Sequence, residues 1–281
     1  MTKLPDEVKQ AYFEILDDPS KNENDIQRFL EDHTELIPLP FLLGHYLHDT
    51  AIISKFKLGN ECVTDFAYLT KCSDYWEFVL IELEDARKKI FTNDKENIYF
   101  SADFNHAIDQ ITSWKVYIDA NRDSVLDKLK KFRVPLGENP VKFKYVLIIG
   151  RSSEKLGSEK RTKMFAHKNG DDTKIMTYDS VISSCEHLPY IVKKLILSPW
   201  KDQGYKIKSV PSDIDTPIFA YMTPDYLKVD QSELEKLKQQ DYQMDAWLAG
   251  EPLSFNNKYD RKTFGERSSN SLLKAICDIP D

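Results

Sequence analysis

The stretch Trp76 to Glu84, WEFVLIELE, limits what this chain can become more than any other. Phe78 to Ile81 form an unbroken apolar run, so the segment reads as a strand buried on both faces rather than one with a wet side. KFKYVLIIGR (Lys142–Arg151) has the same character. Two such strands need neighbours on both edges and cover on both faces, which helices supply in a layered α/β architecture. The helices are present in the pattern. One stretch begins near Asp6. A second, NENDIQRFLEDHTEL, carries Ile26, Phe29, Leu30 and Leu36 at helical spacing and is stopped by the prolines of PLP (38–40). A third, SADFNHAIDQITSWKVYIDAN, has an apolar stripe of Phe104, Ala107, Ile108, Ile111 and Trp114, with Ser101 as its cap.

AIISKFKLG, ECVTDFAYLT and YWEFVLIELE, broken at Gly59-Asn60 and at 71–74, predict an antiparallel meander. A polar, basic loop (152–172) then leads to a short strand, KIMTY, and a helix from Asp179. The order α-β-β-β-α-β followed by a β-α unit predicts one mixed sheet flanked by helices. Beyond about Leu197 the periodicity weakens and prolines recur at 199, 211, 217 and 224. The expected division is an N-terminal helical segment over 1–21, a core over 22–195 and a peripheral extension over 196–281, within which QSELEKLKQQDYQMDAWLAG reads as a helix.

Composition excludes several classes. The chain has 281 residues, 41% of them hydrophobic, enough for a sizeable core. No apolar run reaches 18 residues and the first residues carry no apolar signal core, so the expectation is a cytoplasmic protein without a membrane span. Cys62, Cys72, Cys185 and Cys277 show no CxxC spacing and read as reduced thiols. The formal net charge of −7 argues against a nucleic-acid partner, but the charge is uneven. Residues 128–144 carry Lys128, Lys130, Lys131, Arg133, Lys142 and Lys144 against the single acid Glu138. Such a run is either a solvated face or a local phosphate-binding surface.

The apolar strand ends on Glu82 and Glu84, which alternate onto the face of Phe78 and Leu80. Asp65 lies in the preceding strand, on one face with Val63 and Ala67. Carboxylates on neighbouring strands repel one another and lose solvation. A divalent cation with a taste for hard oxygen ligands, magnesium or manganese, would remove that penalty. The alternative is that Glu82, Glu84 and Asp85 open a solvated loop with Arg87 to Lys89 as partners. His45 and His48 have a spacing suited to metal on a helix, but no third ligand is near.

An Asp in the second strand, an apolar strand ending in Glu-x-Glu and a helix behind it resemble the PD-(D/E)XK nuclease core. More narrowly, TDFAYL, FVLIELEDARKKIFT, SADFNHAIDQITSW, YVLIIGR and IMTYDSVI, in this order, resemble the Shedu family of bacterial antiphage nucleases. ENDIQRFLEDHTELI is similar to the first helix of that core, which implies that Glu23, four residues before Gln27, faces the metal. The resemblance covers about Glu23 to Val181.

It implies a metal-dependent endonuclease or nickase acting on double-stranded DNA in antiphage defence, as a homo-oligomer, a dimer or tetramer. Asp65 and Glu82 match its metal-binding carboxylates. Gln110 and Trp114 match a Gln-x-x-x-aromatic element of RecB-like members. Thr64 stands where the superfamily has Pro, and Glu84 where it has Lys. Glu84 can bind metal or take a proton but cannot stabilise negative charge, so Lys88, Lys89 or a second metal must supply the cation. His106, one turn before Gln110, is a further candidate beside the site. Lys89, Lys130, Lys131 and Arg133 are the expected DNA contacts. The missing lysine also admits a second reading, a catalytically silent nuclease fold that binds DNA or acts as a scaffold subunit.

Overall fold

The computed structural model describes residues 4–60, 62–93, 97–186, 192–201, 204–254 and 258–259. Cys277 and most of the polar tail lie outside the described residues. In chain order the elements are α1 (Asp6–Asp17), α2 (Glu23–Asp32), β1 (Ala51–Ser54), β2 (Phe66–Lys71), β3 (Trp76–Leu83), α3 (Ala102–Lys128), β4 (Val141–Ile148), α4 (Ser152–Leu156), α5 (Glu159–Ala166), β5 (Thr173–Met176), α6 (Tyr178–Glu186), β6 (Leu195–Trp200), β7 (Gly204–Ser209), α7 (Ile218–Tyr221), β8 (Leu227–Lys228), α8 (Gln231–Gln239) and α9 (Met244–Leu248).

The strands form one mixed sheet in the order β5-β4-β3-β2-β1-β6-β7-β8. β1, β2 and β3 make the expected antiparallel meander, while β4 lies parallel to β3 and β5 parallel to β4. Every residue of β3 is buried, as its apolar run requires. The period of two sorts its side chains between layers. Val79, Ile81 and Leu83 join the cluster under α1, α2 and α6, whereas Trp76, Phe78 and Leu80 join the cluster under α3. Glu82 is therefore on the α3 face.

Local chemistry fixes the helix starts. Asn22 and Asp25 exchange reciprocal side-chain to backbone bonds at the head of α2, a capping box. Ser101 Oγ accepts the Phe104 N–H at 3.0 Å to start α3.

Several elements differ from the sequence expectation. β1 stops at Ser54 because Lys55 takes a left-handed backbone (φ 54), so AIISKFKLG is not one strand. The loop expected over 152–172 folds into α4 and α5, the latter capped by Ser158. The helix read over 231–250 breaks in two at Asp241, whose φ is 67. β6 pairs parallel with β1, and β7 and β8 continue the sheet outward. Described residues between Leu195 and Leu253, such as Ile214, Phe219 and Trp247, also share the apolar cluster under α3, so this region is not a peripheral addition. His45 and His48 do not share a helix: His48 opens a three-residue 3-10 turn (His48–Thr50), is buried, and its Nε2 lies 2.7 Å from the Phe132 carbonyl oxygen. No described helix is long and apolar enough to cross a membrane.

Candidate functional site

Antiparallel register aligns a row of charge across three strands. Ile53 is opposite Ala67 and Phe66 opposite Ile81, so the ladder sets Lys55 opposite Asp65 and Asp65 opposite Glu82. Side chains directly opposite one another share a face. The backbone continues the ladder here, with Lys55 N–H to Asp65 O at 2.9 Å and Asp65 N–H to Ile81 O at 3.1 Å. Glu84 follows two residues after Glu82, its N–H bonded to Ile148 O at 2.9 Å and its own carbonyl accepting the Tyr178 hydroxyl at 2.7 Å. The three carboxylates thus sit where β2 begins and β3 ends, fixed by main chain on both sides.

They are nearly out of water: Asp65 and Glu84 are each 4% exposed and Glu82 7%. Each has a different partner. Asp65 Oδ2 accepts the Leu83 N–H at 2.7 Å, and its Oδ1 is 2.6 Å from Lys55 Nζ. Glu84 Oε2 is ion-paired with Lys88. Glu82 Oε1 accepts the side-chain amide of Gln110, but its buried Oε2 has no partner. Burial, then the neighbouring charges of Asp65, Glu84 and Glu23, push the Glu82 carboxyl far above the usual carboxylate range. Glu23, in the first turn of α2, is pushed up to about 7 by burial and by the charges of Asp65 and Glu84. On the same helix Gln27 donates to Asp65 O at 3.4 Å.

These shifts show that the four acids feel one another. Even so, among the described residues no group of three or more His, Cys, Asp or Glu side chains is close enough together to hold one metal ion. The donor chemistry suits a hard divalent cation, and the orphaned Glu82 Oε2 is a ready ligand. Lys55, Lys88 and the Gln110 amide each hold one of these carboxylates.

Asp65, Glu82, Glu84, Glu23, Gln110 and Lys88 are therefore brought to one place. Trp114 is buried in the cluster behind it. His106 is exposed on α3, and no described hydrogen bond or ion pair joins it to the carboxylates. Lys89 is bonded to Asn93 at 2.9 Å rather than to the site. Lys130, Lys131 and Arg133 follow the C-terminal end of α3; at 1.5 Å per residue that end is about 27 Å along the helix from Gln110. There Lys131 packs over the Tyr226 ring at 4.0 Å and Arg133 donates to Asn139 O at 3.3 Å. The sequence reading missed Lys55, because its only signal is a place opposite Asp65 that exists once the register is known.

Fold and site together define a mixed α/β protein with an acidic, cation-neutralised cluster at the C-terminal end of a central strand. The family model described as Shedu protein SduA, C-terminal, matches residues 20–182, and the chain belongs to the Shedu family. Membership suggests a part in antiphage defence. A comparison with curated proteins finds no match.

Proposed function

We propose that this chain is a metal-dependent DNA endonuclease or nickase of bacterial antiphage defence, built on a PD-(D/E)XK-type core and working as a homo-oligomer. The observation that carries the reading is the cross-strand row of buried acids with one carboxylate oxygen, Glu82 Oε2, left without a partner. A buried orphan of this kind costs about 1–3 kcal/mol unless something satisfies it. Asp65, Glu82 and Glu84, with Glu23 alongside, are the groups to hold magnesium or manganese. The cation, when bound, would supply Lewis acidity at a phosphodiester oxygen.

The chain's own side chains do the rest. Gln110 fixes the rotamer of Glu82 through its amide, Glu84 accepts a proton from the attacking water, and Lys88 brings positive charge within reach of phosphate. A second reading, a silent DNA-binding or scaffold subunit, is favoured by one observation: Lys55 and Lys88 already neutralise Asp65 and Glu84 without metal.

Position 84 separates the two. In the nuclease, Glu84→Gln lowers plasmid cleavage by roughly a hundredfold or more while DNA affinity is kept. Glu84→Lys abolishes cleavage, because a second ammonium beside Lys88 repels a divalent ion. Cleavage by Glu84→Lys at or above the wild-type rate would remove Glu84 from this role.

A further inference from the structure

Lys55 combines three features that a plain surface lysine lacks. Its backbone is left-handed, a conformation that is strained for a residue with a side chain and persists only where the surroundings enforce it. Its ammonium lies 2.6 Å from Asp65 Oδ1, while Asp65 Oδ2 is taken by the Leu83 N–H. And the pair straddles the protein surface: the Lys55 side chain is 47% exposed and that of Asp65 only 6%. The oxygen that Lys55 holds is thus the one a cation would need.

We infer that Lys55 and a divalent cation compete for Asp65 Oδ1, and that Lys55, once displaced, sets its ammonium against a phosphate of the bound nucleic-acid strand, supplying the positive charge that Glu84 cannot. The inference rests on the nuclease reading above. An ammonium and a divalent ion cannot share one carboxylate oxygen in a poorly solvated site without strong repulsion. The flexible four-carbon stem lets the ammonium leave while the backbone stays in place. Lys55 adds to the charge of Lys88, whose less exposed side chain (31%) is paired with Glu84. In the metal-free protein the same Lys55 ammonium is the ion-pair partner of Asp65.

The experiment uses the full chain as wild type, Lys55→Met and Lys55→Arg, with Mn2+ binding followed by electron paramagnetic resonance without DNA and plasmid cleavage followed at saturating Mn2+. Removing the competing charge in Lys55→Met tightens Mn2+ binding by roughly tenfold, yet slows cleavage by roughly tenfold or more because the phosphate contact is gone. Lys55→Arg moves both values back toward wild type.

A lysine that only ties β1 to β2 would weaken metal binding and cleavage together, and that result overturns the inference. Mn2+ affinity unchanged in Lys55→Met, with wild type cleaving, overturns it while leaving the nuclease reading intact. Tighter Mn2+ binding with undiminished cleavage overturns the phosphate contact. Mn2+ bound by neither protein overturns the inference and the metal site together.

Discussion

Buried acids set this protein's response to pH, and Asp49 isolates the effect away from the candidate site. Both of its carboxyl oxygens are buried without a hydrogen-bond partner, and burial, opposed by the charge of Lys71, pushes it up to about 8. Its neighbour His48, 3.4 Å away, is lowered to about 3 by burial and then by Lys71, so the two meet as neutral groups rather than as an ion pair. A carboxyl whose folded pKa is raised stabilises the fold fully below its unfolded value and loses that contribution as pH rises through the folded one. In urea denaturation of the metal-free protein the Asp49 contribution should therefore fall between about pH 4 and pH 8, by up to about 1.4 kcal/mol per pH unit, while the lowered His48 opposes it below its ordinary pKa of 6.5. Glu82 and Glu23 act in the same direction. Asp49→Asn keeps the shape and removes one titration, so its slope is shallower than that of wild type. Equal slopes would show that Asp49 is already ionised in the fold.

At the scale of elements, the site depends on how the segment after β3 is held. Gly150, just beyond β4, has φ +62, and a Cβ there would come within 2.8 Å of Lys88 O and 3.1 Å of Ile90 Cγ1. Glycine lets the Lys88 backbone lie directly on the end of β4, and this aims the Lys88 ammonium at Glu84. Gly150→Ala meets both a strained backbone and a main-chain clash, so it costs about 1–3 kcal/mol of stability and moves Lys88. A measured loss under about 0.5 kcal/mol, the size of an ordinary surface change, would mean that this segment yields freely. The same closeness recurs at Gly59, where a Cβ would stand 2.5 Å from the Tyr117 ring and push the chain after β1 off α3. Neither approach could be read from glycine spacing alone. β3 and β4 were legible because apolar runs flanked by polar residues fit a doubly covered strand. Lys55 was not, because the break at the end of β1 comes from a backbone conformation that AIISKFKLG does not announce.

Across the whole molecule, legibility falls with distance from the sheet centre. β6 and β7 carry Pro199 and Lys206, and β8 has only two residues, so they lack the apolar signature of central strands. The residues that bury their face, Ile214, Ile218, Phe219, Met222 and Trp247, are scattered over turns and short helices without a period. The carboxylates of the site, with Gln110 and Lys88 as candidates beside them, could be read from strand alternation and family resemblance, but Lys55 could not, since it reaches Asp65 from the end of a different strand. What the assembled fold brings together is a set of buried acids, two of them paired with lysines, and we propose that this set works on DNA through a divalent cation. The most direct test incubates the purified full chain with supercoiled plasmid in Mg2+ or in EDTA, wild type beside Asp65→Ala. Nicked or linear product is expected from wild type in Mg2+, none in EDTA, and a loss of roughly a hundredfold or more in Asp65→Ala. Equal cleavage in EDTA or by Asp65→Ala, or plasmid binding by wild type without any cleavage in Mg2+, would contradict it.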